Sequence, residues 1–165
     1  MKYHVTGIID HSFKKRSLYL SPYTLEGGAS HTCSILWRHL KTVREGRPPS
    51  KHLQIQADNC FRENKNKTVF GFASLLVHYG IYETVTISML IPGHTHEDID
   101  QMFSTLSKYY WSHSLHSLKD IKEFVKSAYK DPSKTPNVYI MSWIWNFREY
   151  LESHLSRISN HSKPR

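Results

Sequence analysis

An α/β fold is expected from this sequence, on three observations. The segment HLQIQADNC (52–60) alternates apolar Leu53, Ile55 and Ala57 with polar Gln54, Gln56 and Asp58, the period of a half-buried strand. After it, Val69, Phe72, Ala73 and Leu76 fall on one helical stripe, and ETVTISMLI (83–91) is a further strand-like run of branched residues. A second apolar stripe, Ile99, Met102, Phe103 and Leu106, follows PGHTHEDID, so the order strand, helix, strand, helix implies a parallel crossover. With 165 residues, 39% of them hydrophobic, the chain can bury one core and is short for two. A single domain over 1–165 is therefore expected, with sheet strands in 1–24, the motif-bearing α/β core in 30–110 and a helical C-terminal extension in 111–165.

The remaining elements follow from local pattern. YHVTGII (3–9) is rich in β-branched residues and SLYLSPY (17–23) alternates apolar and polar up to Pro22, so two neighbouring strands are predicted. LEGGAS supplies a glycine turn, and beyond Ser30 the residues Cys33, Leu36, Trp37 and Leu40 recur at helical spacing. Two consecutive prolines in EGRPPS end that helix. Asn66 or Thr68 can cap the helix after 52–60, and Gly80 suits its C-terminal stop. SLKDIKEFVKSAYK is an amphipathic helix through Leu118, Ile121, Phe124 and Val125, while VYIMSWIWNF reads equally as a buried strand or a helix start.

Composition narrows the class. Twenty-two Lys and Arg against fourteen Asp and Glu leave a formal charge of +8, a sequence-independent attraction for polyanions, so nucleic acid is the first partner to consider. Basic clusters occur at Lys14, Lys15 and Arg16, at Lys41, Arg44 and Arg47, and at Arg62, Lys65 and Lys67. Cys33 and Cys60 form no C-x-x-C pair, which suggests neither a disulfide framework nor a cysteine zinc site, and a reducing, intracellular compartment fits. No signal-peptide pattern opens the sequence and no apolar run reaches membrane-spanning length, so no membrane partner is expected.

The chemistry concentrates in QADNCFRENKNK and IPGHTHEDID, each following a predicted strand. Strand ends of a parallel sheet share one edge, which would bring Asp58 towards Asp98 and Asp100. Converging carboxylates repel unless a cation lies between them, and hard oxygen ligands suit Mg²⁺ or Mn²⁺. Each acid also has a plainer role. Asp58 with Asn59 can end a strand in a turn that bonds its own backbone. Thr95 with Asp98 forms a capping box, which leaves Asp100 as the better metal candidate and Glu97, on the same helical face, as its substitute. Glu63, Asn64, Lys65, Asn66 and Lys67 make a polar helix entrance that can hold a phosphate or serve only as a solvated cap. His94 and His96 resemble the front of the H-x-H-x-D-H zinc motif of metallo-β-lactamase-like hydrolases, but Ile99 stands where that family has its last histidine.

The blocks DNC-x-x-ENKN and GHTHEDID-x-x-FS, at their separation here, closely resemble a family of transposon-associated proteins, and the resemblance covers most of the chain. Its members look like ribonuclease H-like domains of the integrase and transposase kind, with three acids holding two divalent metals. The resemblance therefore implies a ribonuclease H-like mixed sheet flanked by helices, with the second acid on Asp58 and the third on Asp100. It implies metal-dependent cleavage or strand transfer of DNA phosphodiesters, nuclear residence and, since such transposases often work as multimers, a homo-oligomer.

The first acid of the pattern precedes the strand that resembles YHVTGIIDHS, in an Asp-rich segment absent from this sequence, and Asp10 is a poor replacement. The pattern also continues past HSKPR, so the expected domain is incomplete at both ends and inactive as this chain. The alternatives are a domesticated, non-catalytic nucleic-acid or protein-binding remnant and a zinc hydrolase using His94 and His96.

Overall fold

A computed structural model of the chain describes residues 2–46, 50–90, 98–110 and 117–155. In chain order its elements are β1 (Tyr3–Asp10), β2 (Lys15–Pro22), α1 (Ala29–Arg44), β3 (His52–Ala57), α2 (Lys67–His78), β4 (Thr84–Met89), α3 (Asp98–Tyr110), α4 (Leu118–Ala128), β5 (Asn137–Ile140) and α5 (Phe147–Glu152). A single 3-10 turn occupies Pro132–Lys134. The fold is mixed α/β, as the alternating periods predict: β1, β2 and β5 form a mixed sheet, and β3 and β4 form a parallel one. These elements gather into two compact units, one of residues 1–26 and 90–143, the other of 27–89 and 144–165.

In the first unit, β1 and β2 are an antiparallel hairpin whose register runs from Tyr3 opposite Pro22 to Asp10 opposite Lys15. Asp10 has a turn role: its carboxylate accepts the Phe13 N–H at 3.0 Å, and Lys14 takes the positive φ of 51° that closes the hairpin. β5 adds to β2 in parallel, so the ambiguous VYIMSWIWNF begins as a strand inside the stretch expected to be helical. Leu18 from β2 packs with Met102 and Leu106 of α3 and Phe124 and Val125 of α4 in this unit's core. Of the stripes predicted on the two helices, Met102, Leu106, Phe124 and Val125 bury there, with Ile99, Phe103 and Ile121 at the margin. The Tyr129 hydroxyl donates to the Met102 carbonyl at 2.9 Å, tying the end of α4 to α3.

The second unit is built around the predicted crossover. β3 and β4 run parallel with Leu53 beside Val85, Ile55 beside Ile87 and Ala57 beside Met89. Leu53, Val85 and Ile87 pack against a core of Cys33 and Leu40 from α1, Val69, Phe72 and Leu76 from α2, Tyr82, and Leu151 from α5. Helix α1 begins after Gly28, two residues earlier than a Ser30 cap would start it. The Ser30 hydroxyl instead accepts the Arg148 N–H at 3.0 Å near the start of α5. Ser34 completes the same link: its hydroxyl donates to the Ser30 carbonyl and accepts the Trp145 N–H at 2.9 Å. Among the described residues no helix is long and apolar enough to cross a membrane.

Candidate functional site

The best-built polar feature of the second unit is the loop between β3 and α2. The strand ends at Ala57 because Asp58 turns the chain: its Oδ1 accepts the Cys60 N–H at 2.9 Å and the Asn64 side-chain amide at 2.7 Å. The Cys60 carbonyl then accepts the N–H groups of both Asn64 and Lys65, at 2.8 and 2.9 Å. Asn66 closes the loop onto the helix. Its side-chain oxygen accepts the Thr68 and Val69 N–H groups, and its amide donates to the Phe61 carbonyl at 3.1 Å and the Arg62 carbonyl at 3.4 Å. Of the two possible caps, Asn66 is the one used, which satisfies two of the helix's unpaired N–H groups.

The loop also leans on α1. Gly28 has φ 107°, a backbone shape side chains rarely adopt, and the Arg62 carbonyl lies 3.5 Å from where a Gly28 Cβ would stand. Lys65 reaches back to the Asn59 side-chain oxygen at 3.4 Å and lies 5.2 Å from the centroid of the Phe61 ring. Lys67 forms an exposed ion pair with Glu152, and Glu63 is exposed. Asp58 Oδ2 makes no hydrogen bond among the described residues, so this exposed carboxylate is oriented through one oxygen and open through the other.

The structure thus brings Asp58, Asn59, Asn64, Lys65 and Asn66 together in one pinned loop. Since Ala57 pairs with Met89, the chain leaves β3 and β4 from the same sheet edge. Asp98 and Asp100 are exposed in the first turn of α3, in the other unit, where their charge favours the helix N-terminus. His94, Thr95, His96 and Glu97, and with them the zinc motif and the capping box, lie outside the described residues. Cys33 and Cys60 are free thiols. Among the described residues no three His, Cys, Asp or Glu side chains gather to hold a metal ion.

Phe61 is not among the residues that motif and spacing single out. It is 70% exposed at the crest of the loop, with Arg62 next to it and Lys65 over its ring. A large apolar residue inside an otherwise polar, basic run is the signal that marks it in the sequence.

No curated protein and no solved structure matches this chain. A family model described as Domain of unknown function (DUF7869) matches it over residues 1–165.

Proposed function

From the premise that the chain belongs to the family described as Domain of unknown function (DUF7869), we propose that it is a DNA-processing domain of the ribonuclease H-like transposase and integrase kind. Asp58 is a metal-holding carboxylate of that domain. The observation that carries this reading is Asp58 itself, at the C-terminal end of a parallel strand with one oxygen pinned by Asn64 and the Cys60 N–H and the other unengaged among the described residues. Carboxylate oxygens are the hard donors that Mg²⁺ and Mn²⁺ take. Such ions, when bound, activate a water or 3′-hydroxyl and stabilise the leaving oxygen of an in-line displacement. Asn64 holds Asp58 in orientation, and the formal charge of +8 draws the polyanion in, with Arg62 and Lys65 on the same loop to take phosphates. Intracellular, nuclear residence goes with that substrate.

One observation favours a second reading, a non-catalytic nucleic-acid-binding domain. Asp58 Oδ1 already satisfies a turn N–H and a side-chain amide, so the residue has a structural role that needs no metal. Titration calorimetry with MnCl₂ separates the two. Wild-type protein that binds Mn²⁺, with binding lost in Asp58→Asn, supports the metal-dependent reading. Wild-type protein that binds no Mn²⁺ while retaining DNA leaves the non-catalytic one.

A further inference from the structure

We infer that the loop between β3 and α2 holds Phe61 outward as a stacking platform for an unpaired base of single-stranded nucleic acid, with Arg62 and Lys65 taking the phosphates on either side. The inference rests on the nucleic-acid part of the function proposed above and does not need its metal.

Single exposed apolar side chains are common on protein surfaces and require no explanation by themselves. Phe61 differs in how its backbone is fixed. Immediately before it, the Cys60 N–H is bound by Asp58 and the Cys60 carbonyl by two further N–H groups; its own carbonyl and that of Arg62 are bound by the Asn66 amide. Asn66 is anchored in turn as the cap of α2. These bonds fix the backbone on both sides of Phe61, and 70% of the residue is exposed. The loop thus keeps an apolar ring exposed at a position that a polar residue could have filled.

The surroundings identify the ligand. The Lys65 ammonium lies 5.2 Å from the ring centroid, a cation over a π-face, and the exposed Arg62 follows Phe61 in the chain. An exposed aromatic ring with one cation over its face and a second next to it in the chain matches a base with its flanking phosphates, since every base offers a π-face and each phosphate a negative charge. A partner protein pocket would take the ring but would find two cations at its rim. Bases inside a duplex are already stacked on their neighbours, so the platform selects unpaired nucleotides.

The test is fluorescence anisotropy with a labelled oligothymidylate and, separately, a labelled duplex, both in EDTA so that metal binding has no part in the result. Phe61→Ala is expected to weaken single-strand binding about tenfold and to leave duplex binding unchanged, while Phe61→Tyr and Phe61→Trp retain wild-type affinity. Quenching of the added indole in Phe61→Trp by the oligonucleotide would show the stack directly. Tyr79→Ala removes an aromatic of similar exposure at the opposite end of α2 and should leave both affinities as they are. Unchanged single-strand binding in Phe61→Ala overturns the inference, as does an equal loss in Tyr79→Ala. Wild-type protein that binds neither probe removes the inference together with the nucleic-acid reading, whereas failure of the Mn²⁺ titration alone removes only the metal.

Discussion

Two residues of the second unit show how a side chain's surroundings decide its chemistry. Cys33 is buried in the core beside the Thr68 carbonyl, and burial pushes its thiol up to about 12. The thiolate is the reactive species, so at pH 8 Ellman's reagent should modify the partly exposed Cys60 in the native protein and reach Cys33 only after unfolding. Rapid reaction of both thiols without denaturant would mean that this core opens. The sign of the linkage is fixed by the raised value: the neutral thiol's contribution is whole below the ordinary value of 9.0 and is lost as pH rises from there towards 12. Asn64 is the second case. Its amide donates to Asp58 at 2.7 Å on an exposed loop, so Asn64→Ala should cost about 1 kcal/mol in urea denaturation. If Asp58 holds metal, the same substitution weakens Mn²⁺ binding, whereas a purely structural Asp58 gives the stability loss alone. The residue types of this loop were legible in the sequence because Asp and Asn readily bond a nearby backbone. Which oxygen Asp58 commits, and to which amide, depends on loop closure that no local spacing encodes.

At the level of elements, helix α2 was the most legible because its signals are local. Its stripe, its Asn66 cap and its Gly80 stop all lie within the segment, and its end closes with the Ile81 N–H on the Leu76 carbonyl and the Gly80 N–H on the Val77 carbonyl. Asn66→Ala should therefore cost about 1 kcal/mol from the helix cap, read by thermal or urea unfolding, and somewhat more through the freed Phe61 and Arg62 carbonyls. Asn66→Asp keeps the cap oxygen and separates the two parts: recovery limited to the cap portion is expected, since the amide donor is still missing. The start of α1 was not legible, because Ser30 is drawn to the Arg148 N–H, far along the chain. Strand β5 was ambiguous for a similar reason: its partner is β2, and a periodicity contains no record of what a strand will pair with. Among the described glycines, the closest approach is at Gly7 in β1, where an added Cβ would stand 2.6 Å from Met102, 2.8 Å from Ile99 and 2.9 Å from Phe103. All three neighbours are ends of side chains on α3, so the face can yield in part. Gly7→Ala should destabilise by about 1–3 kcal/mol, and Gly7→Val by more. Gly7→Ala as stable as wild type would show that α3 does not hold this close approach in solution.

Across the whole chain, amphipathic stripes predicted which faces are buried but not against what, so the division into two cores was not legible even though nearly every stripe residue was. Charge has the same property: the sum of +8 is visible in the composition, but the number of cations free to meet a polyanion depends on what each one touches. Arg44 lies 5.0 Å from the Tyr82 ring and donates to the Ile81 carbonyl at 3.1 Å, and Lys67 pairs with Glu152, so both have work inside their own unit. Arg62 is exposed next to Phe61 in the chain, and Lys65, although it donates to Asn59 at 3.4 Å and lies over the Phe61 ring, is exposed on the same loop. The affinity for single-stranded DNA should therefore fall linearly on a log–log plot against salt, and the double variant Arg62→Gln, Lys65→Gln should flatten that slope by about 1.4, or roughly 0.7 for each phosphate no longer neutralised. Arg44→Gln carries the opposite expectation. It should lower the unfolding free energy by about 1 kcal/mol, because the guanidinium no longer bonds the Ile81 carbonyl or covers the Tyr82 ring, and leave the salt slope in place. Flattening by Arg44→Gln of about half that of the double variant, one charge against two, would mean that the polyanion responds to net charge spread over the surface. Flattening confined to the double variant locates the bound phosphates at the loop between β3 and α2, since removing the Arg44 charge elsewhere would not alter the number of counterions displaced there.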